Sequence, residues 1–210
     1  MVSIKICGVR ETATCDLLLK LRVNWVGLVF YPASPRFLSV TQARQLPDYG
    51  KEGLLRVGLF VRPKLDDIKR ILDKVRLDIL QLYCSDKQAE TIREEIGLPV
   101  WLARGVKTRD DLLEPCQVDG MVIEAPFYES DTRPGGNGRK FDWSLTKNWN
   151  PAKPWLLAGG LTPDNVQEAI QQSGAEAIDV SSGVESVLGK KDPILIQHFV
   201  KNARQEYNCE

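Results

Sequence analysis

The sequence has no excess of either charge and no long hydrophobic run. Lys and Arg together number 28, and Asp and Glu together number 28, so the formal net charge is zero. Nucleic-acid-binding proteins usually carry a basic excess, which this composition lacks. The longest apolar stretches, such as WVGLVFY at 25–31, are far shorter than a membrane-spanning helix, and the first residues include no apolar segment typical of a signal peptide. We therefore expect a cytoplasmic protein that binds neither nucleic acid nor membrane.

Histidine is nearly absent, and the cysteines follow neither a metal-binding nor a disulfide pattern. His198, the one histidine, falls in a helical pattern near the end of the chain, where we expect an ordinary surface residue. The five cysteines are an odd number without a CxxC pair, so in a reducing compartment we expect free thiols. Zinc usually needs several His or Cys ligands at short spacings. We therefore predict no metal site.

Short β-branched runs alternate with helical patterns along the chain. The predicted helices include ETATCDLLLKL, KLDDIKRILDKV, SDKQAETIREEIG, TPDNVQEAIQQSG and DPILIQHFVKNARQ. The predicted strands are SIKIC (3–7), WVGLVF (25–30), LLRVGLFV (54–61), DILQLY (78–83), PVWLAR (99–104), GMVIE (120–124), PWLLA (154–158) and EAIDV (176–180).

Several residues are typical of helix ends. Ser85 and Gln88 have the spacing of a capping box, and Thr162 precedes a proline in the manner of an N-cap. Gly97 and Gly174 follow the last periodic residue of their helices, where glycine commonly ends a helix. These signals predict the bounds of the two helices that they flank.

The alternation predicts an α/β fold, a (β/α)8 TIM barrel, as a single domain over residues 1–210. An open doubly wound sheet is the alternative, although such sheets usually have fewer strands. No linker-like stretch divides the chain. One long non-helical insertion, APFYESDTRPGGNGRKF at 125–141, follows the sixth predicted strand. Loops of this length in compact domains are more often functional than idle.

Four side chains that could take part in catalysis or binding lie at the ends of predicted strands or in the loops that follow them. Cys7 ends the first strand, Arg36 lies in the loop after the second, Glu124 ends the sixth, and Asp179 lies near the end of the eighth. Taken alone, a strand cysteine is more often a small buried hydrophobic residue. In a (β/α)8 barrel, however, the carboxyl ends of all strands meet at one mouth, where active sites lie. We therefore predict that these four residues converge.

Three glycine-bearing turns are predicted at the same mouth: GGNG (135–138), AGGL (158–161) and SSGV (181–184). Glycine allows backbone N–H groups to approach an anion closely. Loops after strands seven and eight of this fold often bind phosphate. The sequence therefore predicts a phosphorylated small molecule as ligand, and we expect a monomer.

Five motifs occur in order at the predicted strand ends: KICG (5–8), SPR (34–36), GGNG with FDW (141–143), LAGGL (157–161) and DVSSGVE (179–185). Together they resemble the phosphoribosylanthranilate isomerase family of tryptophan biosynthesis, from residue 5 to about residue 200. The resemblance implies an Amadori rearrangement. The ribose ring of N-(5-phosphoribosyl)anthranilate opens to a Schiff base, a proton leaves sugar C2, and the enolamine tautomerises to the carboxyphenylamino-deoxyribulose phosphate. It also implies that no cofactor is needed.

The resemblance implies a role for each candidate residue. Cys7 would be the general base, which needs a thiol pKa near neutrality and therefore a nearby cation or backbone N–H groups. Arg36 would hold the anthranilate carboxylate, and Asp179 would hydrogen-bond the sugar. Gly136 and Gly138 would contact the substrate through their backbone. The phosphate would be bound at Gly159, Gly160, Ser182 and Gly183.

The chain departs from the family pattern at two strand ends. The sixth strand usually ends in the aspartate that acts as general acid, whereas this chain has Glu124, one methylene or about 1.5 Å longer. Asp131, in the following loop, is the less favoured alternative acid. Because the acid must be protonated near pH 7, we predict a raised pKa for Glu124. The fourth strand usually ends in QLHG, whereas Tyr83 and Cys84 replace the last two residues here.

Two other functions remain open at this point. One is that of a related phosphosugar barrel, the histidine-pathway isomerase or a dual-substrate version of it. Those enzymes use an aspartate base on the first strand, so Cys7 argues against them. The other is binding of a phosphoribosyl compound without turnover, which the departures at Glu124 and Tyr83 suggest.

Overall fold

The computed structural model describes residues 1–112, 117–126, 139 and 141–205. Eight parallel strands form a closed barrel in which each strand pairs with the next along the chain and the eighth pairs with the first. The TIM-barrel prediction is therefore confirmed, and all eight strands lie within one residue of their predicted bounds. The strands are β1 (Ser3–Cys7), β2 (Trp25–Val29), β3 (Leu55–Val61), β4 (Ile79–Tyr83), β5 (Val100–Gly105), β6 (Gly120–Glu124), β7 (Trp155–Leu157) and β8 (Ala177–Val180).

Helices connect most of the strands. Within the residues described, the connections after β5 and β6 contain short 3-10 turns, at Arg109–Asp111 and Trp143–Thr146, in place of an α-helix. None of the described helices is long and apolar enough to span a bilayer. The α-helices are α1 (Thr12–Lys20), α2 (Val40–Gln45), α3 (Leu65–Leu72), α4 (Asp86–Ile96), α5 (Val166–Ser173) and α6 (Pro193–Arg204).

The prediction that Thr162 caps its helix is wrong. Helix α5 begins at Val166 with Asn165 as its N-cap residue. The Asn165 side chain accepts a hydrogen bond from the Thr162 backbone N–H at 2.8 Å and donates to the Gly160 carbonyl at 2.9 Å. The segment before α5 is therefore a turn, and the Asn165 side chain joins it by hydrogen bonds to the loop after β7.

The other helix-end predictions hold in part. Gly97 and Gly174 both end their helices in the left-handed conformation, with φ of 73° and 72°. Ser85 caps α4 by accepting from the Gln88 backbone N–H, but the Gln88 side chain donates to the Pro63 carbonyl at 2.7 Å. The capping box is therefore only half formed, because the Gln88 side chain is hydrogen-bonded to the Pro63 carbonyl and not to the backbone of Ser85.

Side chains of β1 divide between two layers of the core. Ile4 and Ile6 are fully buried in the layer between the barrel and its helices, where they pack with Leu18 and Phe199. Cys7 packs with the apolar cluster of the barrel interior. Because side chains alternate along a strand, Lys5 shares the inward face with Cys7. The strand therefore places a cation directly below its terminal thiol.

A small antiparallel hairpin follows the barrel, formed by β9 (Glu185–Val187) and β10 (Lys190–Lys191). Gly189 in its turn has φ of +81°, and a Cβ there would lie 2.7 Å from the Pro35 carbonyl oxygen. The hairpin therefore packs against the SPR loop after β2. No sequence pattern used above predicted this element.

Candidate active site

A pocket opens at the carboxyl ends of the barrel strands, as the positions of the candidate residues predicted. Cys7 from β1 and Glu124 from β6 line it, and both are at least nine-tenths buried. The loops after β7 and β8 complete its wall. Seven predicted site residues share this lining: Cys7, Arg36, Glu124, Gly159, Gly160, Asp179 and Ser182.

A buried ion pair lies beneath Cys7. Lys5 Nζ donates to Asp179 Oδ2 at 2.9 Å, and the Lys5 side chain is fully buried. Lys5 also lies close enough to Cys7 to lower the pKa of its thiol. Burial would lower the pKa of Lys5, but the negative charges of Asp179 and Cys7 outweigh it and raise the pKa, so the ammonium stays charged.

Opposing effects act on the pKa of the Cys7 thiol. Burial raises its pKa above the ordinary value of 9.0, and the Asp179 carboxylate adds to the rise. Lys5, and more weakly Lys191, lower the pKa by favouring the thiolate. Lys5 is thus the nearby cation that a thiolate at this position requires. The effect of burial on the thiol pKa is nevertheless larger than that of Lys5.

Gly27 gives Cys7 its space. Cys7 and Gly27 are partners across the β1–β2 ladder. A Cβ on residue 27 would lie 2.7 Å from the Cys7 sulfur and 2.8 Å from its Cα, closer than such atoms approach. Only glycine at this position leaves the thiol room on the inward face.

Glu124 is buried and contacts Tyr83. Burial raises the pKa of Glu124 to about 8, while a hydrogen bond from Tyr83 opposes the rise. The direction agrees with the raised pKa predicted from the sequence. Among the described residues, Glu124 Oε1 is buried without a hydrogen-bond partner. An unpaired buried oxygen disfavours the ionised carboxylate, in agreement with the raised pKa.

Arg36 is held at the pocket wall by a bidentate ion pair. Its Nε donates to Glu185 Oε1 at 2.7 Å and its Nη2 to Oε2 at 2.9 Å. Lys191 Nζ donates to the same carboxylate at 2.7 Å. Burial would raise the pKa of Glu185, but the hydrogen bonds from Arg36 and Lys191 lower it to about 2. The guanidinium is therefore fixed in orientation before any ligand binds.

Lys191 also connects this network to the thiol. Its Nζ donates to the Ser181 carbonyl at 2.9 Å, and Ser181 Oγ donates to the Cys7 carbonyl at 3.0 Å. The hairpin that carries Glu185 and Lys191 thereby supports both Arg36 and the end of β1.

The glycine turns after β7 and β8 are packed against each other. Gly159 and Gly160 both have positive φ, 86° and 65°, which glycine adopts without strain. A Cβ on Gly183 would lie 1.8 Å from the Leu161 carbonyl oxygen. Gly183 does not line the pocket. A glycine is required at this position because the two loops are in close contact there. Ser182, beside it, does line the pocket.

Some predicted residues lie outside the described part of the chain. Gly136 and Gly138 of the GGNG turn and the alternative acid Asp131 belong to this group. Within the described ranges, no group of three or more His, Cys, Asp or Glu side chains could hold a metal ion.

Sequence reasoning assigned no role to three residues of the site. Lys5 could have been found, because it lies two residues before Cys7 and so on the same face of β1. Glu185 belongs to the DVSSGVE motif, but nothing there indicates Arg36 as its partner. Lys191 carries no sequence signal that we can identify.

Buried titratable groups at the carboxyl ends of strands define an enzyme of the (β/α)8-barrel class. A sequence profile of the family N-(5'phosphoribosyl)anthranilate (PRA) isomerase matches residues 4–202. The N-(5'-phosphoribosyl)anthranilate isomerase of Granulibacter bethesdensis is 39% identical over 206 residues, which cover 97% of this chain and 99% of that protein. That of Acidiphilium cryptum is 42% identical over 205 residues, covering 97% and 98%. The chain belongs to the N-(5'-phosphoribosyl)anthranilate isomerase family.

Solved structures agree with this assignment. Phosphoribosyl anthranilate isomerase from Thermotoga maritima has a TM-score of 0.81 and 32% identity, covering 97% of this chain and 99% of that one. A phosphoribosyl anthranilate isomerase in complex with reduced 1-(o-carboxyphenylamino)-1-deoxyribulose 5-phosphate has a TM-score of 0.78 and 31% identity, with the same coverage. The family resemblance stated from the motifs is confirmed, whereas the expectation of a monomer stays a prediction.

The charges around Cys7 predict how its reactivity changes on substitution. Lys5→Met removes the stronger of two nearby cations, so the pKa of the Cys7 thiol should rise further. Alkylation of Cys7 by iodoacetamide at pH 8, followed by mass spectrometry of its peptide, should slow by about tenfold or more. Lys191→Met should slow it less, and Asp179→Asn should accelerate it. Equal rates in all four folded proteins would show that these charges do not control the thiolate.

Proposed function

We propose that this protein converts N-(5'-phosphoribosyl)anthranilate to 1-(2-carboxyphenylamino)-1-deoxyribulose 5-phosphate in tryptophan biosynthesis. Membership of the isomerase family supports the reaction. The observation that carries the assignment of roles is that Cys7 and Glu124, from opposite parts of the barrel, line one pocket above the Lys5–Asp179 pair. The rearrangement needs one group that removes a proton and another that donates one.

Glu124 acts as the general acid. Because its pKa is raised to about 8, the carboxyl group is mostly protonated at pH 7. It donates this proton to the ribose ring oxygen as the C1–O bond breaks, which opens the ring to the Schiff base. The position of Glu124 in the pocket lining supports this role.

Cys7 acts as the general base. Its thiolate removes the proton from C2 of the opened sugar, and the electron pair moves to the Schiff-base nitrogen to form the enolamine. The nearby ammonium of Lys5, which lowers the pKa of the thiol, stabilises the thiolate. Tautomerisation of the enolamine then gives the ketone product.

The remaining residues bind the substrate. Glu185 occupies the Nε–Nη2 edge of Arg36, so the anthranilate carboxylate would bind the edge formed by Nη1 and Nη2. Asp179 lines the pocket, where it would hydrogen-bond a sugar hydroxyl. Backbone groups of the turns at Gly159, Gly160 and Ser182 would bind the phosphate, whereas Gly183, which does not line the pocket, would support that turn. Gly136 and Gly138 would contact the substrate from the long loop.

Turnover of phosphoribosylanthranilate, followed by the loss of its fluorescence, tests the proposed activity. We expect catalysis by the purified chain without added metal or cofactor. Binding of the compound without turnover would instead favour a non-catalytic barrel.

The base assignment predicts that Cys7→Ser loses nearly all turnover while the substrate still binds. An alkoxide is far less accessible near pH 7 than a thiolate, so kcat should fall by about a hundredfold or more. Cys15→Ala is the matched control, since Cys15 is buried in α1, outside the pocket, and its pKa is raised to about 11 by burial. That variant should keep its kcat. A Cys7→Ser protein with more than about a tenth of the original kcat would contradict the assignment.

The acid assignment predicts that Glu124→Gln abolishes turnover, because an amide cannot donate the proton that ring opening needs. Glu124→Asp should retain partial activity, since it keeps the acid but shortens its reach. Asp131→Asn is the matched comparison and should leave kcat within about a few-fold of the original. An inactive Asp131→Asn beside an active Glu124→Gln would transfer the role to the loop aspartate.

The raised pKa values predict an alkaline optimum. At pH 7 the free protein holds protons on both Glu124, with a pKa of about 8, and Cys7, with a pKa above 9.0. The productive form, with a Cys7 thiolate and a Glu124 carboxylic acid, has lost one of these two protons. The loss of the first proton is a property of the coupled pair and has an apparent pKa of about 8. Therefore kcat/KM should rise up to about pH 8 and fall after the second proton is lost. A profile that is flat or falling between pH 6 and 8 would exclude these protonation states.

A further inference from the structure

Arg36 is held along its stem and along one edge of its guanidinium. Gly8, the residue after Cys7, has φ of +77°, and a Cβ there would lie 2.5 Å from Arg36 Cδ, so only glycine leaves the stem room. Glu185 accepts from Nε and Nη2. Arg36 lines the pocket, and its Nη1 donates no hydrogen bond within the described part of the chain. The Nη1–Nη2 edge is therefore the part of the guanidinium left for a ligand.

Glu185 accepts hydrogen bonds from four donors. Oε1 accepts from Arg36 Nε and from Lys191 Nζ, each at 2.7 Å. Oε2 accepts from Arg36 Nη2 at 2.9 Å and from the Gly189 backbone N–H at 3.1 Å. A carboxylate offers about four such positions, so this one is saturated. Glu185 orients Arg36, but its negative charge also opposes any ligand carboxylate that approaches the same guanidinium.

Lys191 supplies the charge that offsets Glu185. Its Nζ donates to Glu185 Oε1 at 2.7 Å, to the Ser181 carbonyl at 2.9 Å and to Ser181 Oγ at 3.3 Å. These three acceptors match the three hydrogens of an ammonium. Burial lowers the pKa of Lys191, and the Glu185 carboxylate opposes this shift. The Arg36–Glu185–Lys191 cluster thus combines two positive charges with one negative charge, and a net positive charge remains.

The other buried acidic and basic groups at the pocket contribute no net charge near pH 7. Lys5 and Asp179 form an ion pair at 2.9 Å and cancel each other. Burial raises the pKa of Glu124 to about 8 and that of Cys7 above its ordinary value of 9.0, so both groups mostly hold their protons. Among the described residues at the pocket, the cluster is therefore the source of the net positive charge.

We propose that Lys191 sets the preference of this pocket for a ligand whose aromatic ring carries a carboxylate: it neutralises Glu185 and so leaves Arg36 with the charge that attracts the carboxylate. Lys191 does not line the pocket, so it is a positioning residue that acts through Glu185. This inference rests on the proposed function, in which Arg36 holds the anthranilate carboxylate. Without Lys191, the Arg36–Glu185 pair would carry no net charge and would attract a carboxylate much less.

Two product analogues test the proposal. Reduced 1-(o-carboxyphenylamino)-1-deoxyribulose 5-phosphate carries the ring carboxylate, and reduced 1-(phenylamino)-1-deoxyribulose 5-phosphate lacks it. Both carry the same phosphate and sugar chain, so the ratio of their Kd values, the carboxylate preference, reports the ring carboxylate alone. In Lys191→Met, calorimetry at pH 7 should show this preference reduced about tenfold, because one positive charge is lost from the cluster. Glu185 stays paired with Arg36 in this variant, so no buried charge is left alone.

Addition of Glu185→Gln to Lys191→Met separates the effect of charge from that of structure. In the double variant the net positive charge returns, because Arg36 no longer faces a carboxylate. The carboxylate preference should therefore rise several-fold above that of Lys191→Met. A purely structural role of Lys191 predicts the opposite, because the second substitution also weakens the hydrogen bonds that orient Arg36. Lys191→Arg keeps the charge and should retain most of the preference.

Lys190→Met is the matched control. Lys190 is the neighbouring residue of the same hairpin, but its side chain is exposed and it lies outside the pocket lining. The substitution removes the same charge from the same element. Because solvent screens an exposed charge, the carboxylate preference should equal that of the unaltered protein.

A Lys191→Met protein with an unchanged carboxylate preference overturns the proposal. An equal loss of affinity for both analogues assigns Lys191 to the phosphate or to the fold and also overturns it, as does a double variant whose preference is no higher than that of Lys191→Met. Turnover of phosphoribosylanthranilate by the unaltered protein is measured separately. Its absence would refute the proposed reaction, whereas the Kd ratios would still decide the role of Lys191.

Discussion

The ion pair between Lys5 and Asp179 is the interaction on which the site depends. The two residues are partners across the β1–β8 ladder, 174 positions apart in the chain, so the pair forms only when the barrel closes. A fully buried ammonium costs several kcal/mol of desolvation, of which only a close partner offsets a large part. The structure keeps this costly group directly beneath Cys7, where its charge favours the thiolate.

Two polar networks extend from this centre. One runs from the Cys7 carbonyl through Ser181 and Lys191 to Glu185 and ends at Arg36. It joins the end of β1 to the hairpin after β8 and fixes the guanidinium in one orientation. The donors and acceptors of this network are already paired. Binding of a ligand at this side of the pocket therefore requires little reorganisation of the protein.

The second network links Gln81 to Tyr83 and lies on the other side of the pocket, beside Glu124. Tyr83 and Glu124 are two of the three positions at which this chain departs, at strand ends, from the family pattern that its motifs otherwise follow; Cys84 is the third. A longer acid and a tyrosine in contact with it form one local arrangement, so each departure is better understood with the other than alone. The low dielectric of the interior raises the pKa of Glu124.

Sequence periodicity alone determined the eight strands, because side-chain alternation and β-branched composition are local properties. The convergence of Cys7, Glu124 and Asp179 also followed from the sequence, since parallel strands of a barrel share one carboxyl-terminal mouth. The N-cap at Thr162 was mispredicted because Asn165 bonds to Gly160, a contact that local signals do not contain. The partners of Arg36, Glu124 and Lys5 were decided only by the tertiary structure. Each of these contacts joins side chains from strands or loops far apart in sequence, and their meeting depends on the closure and register of the barrel.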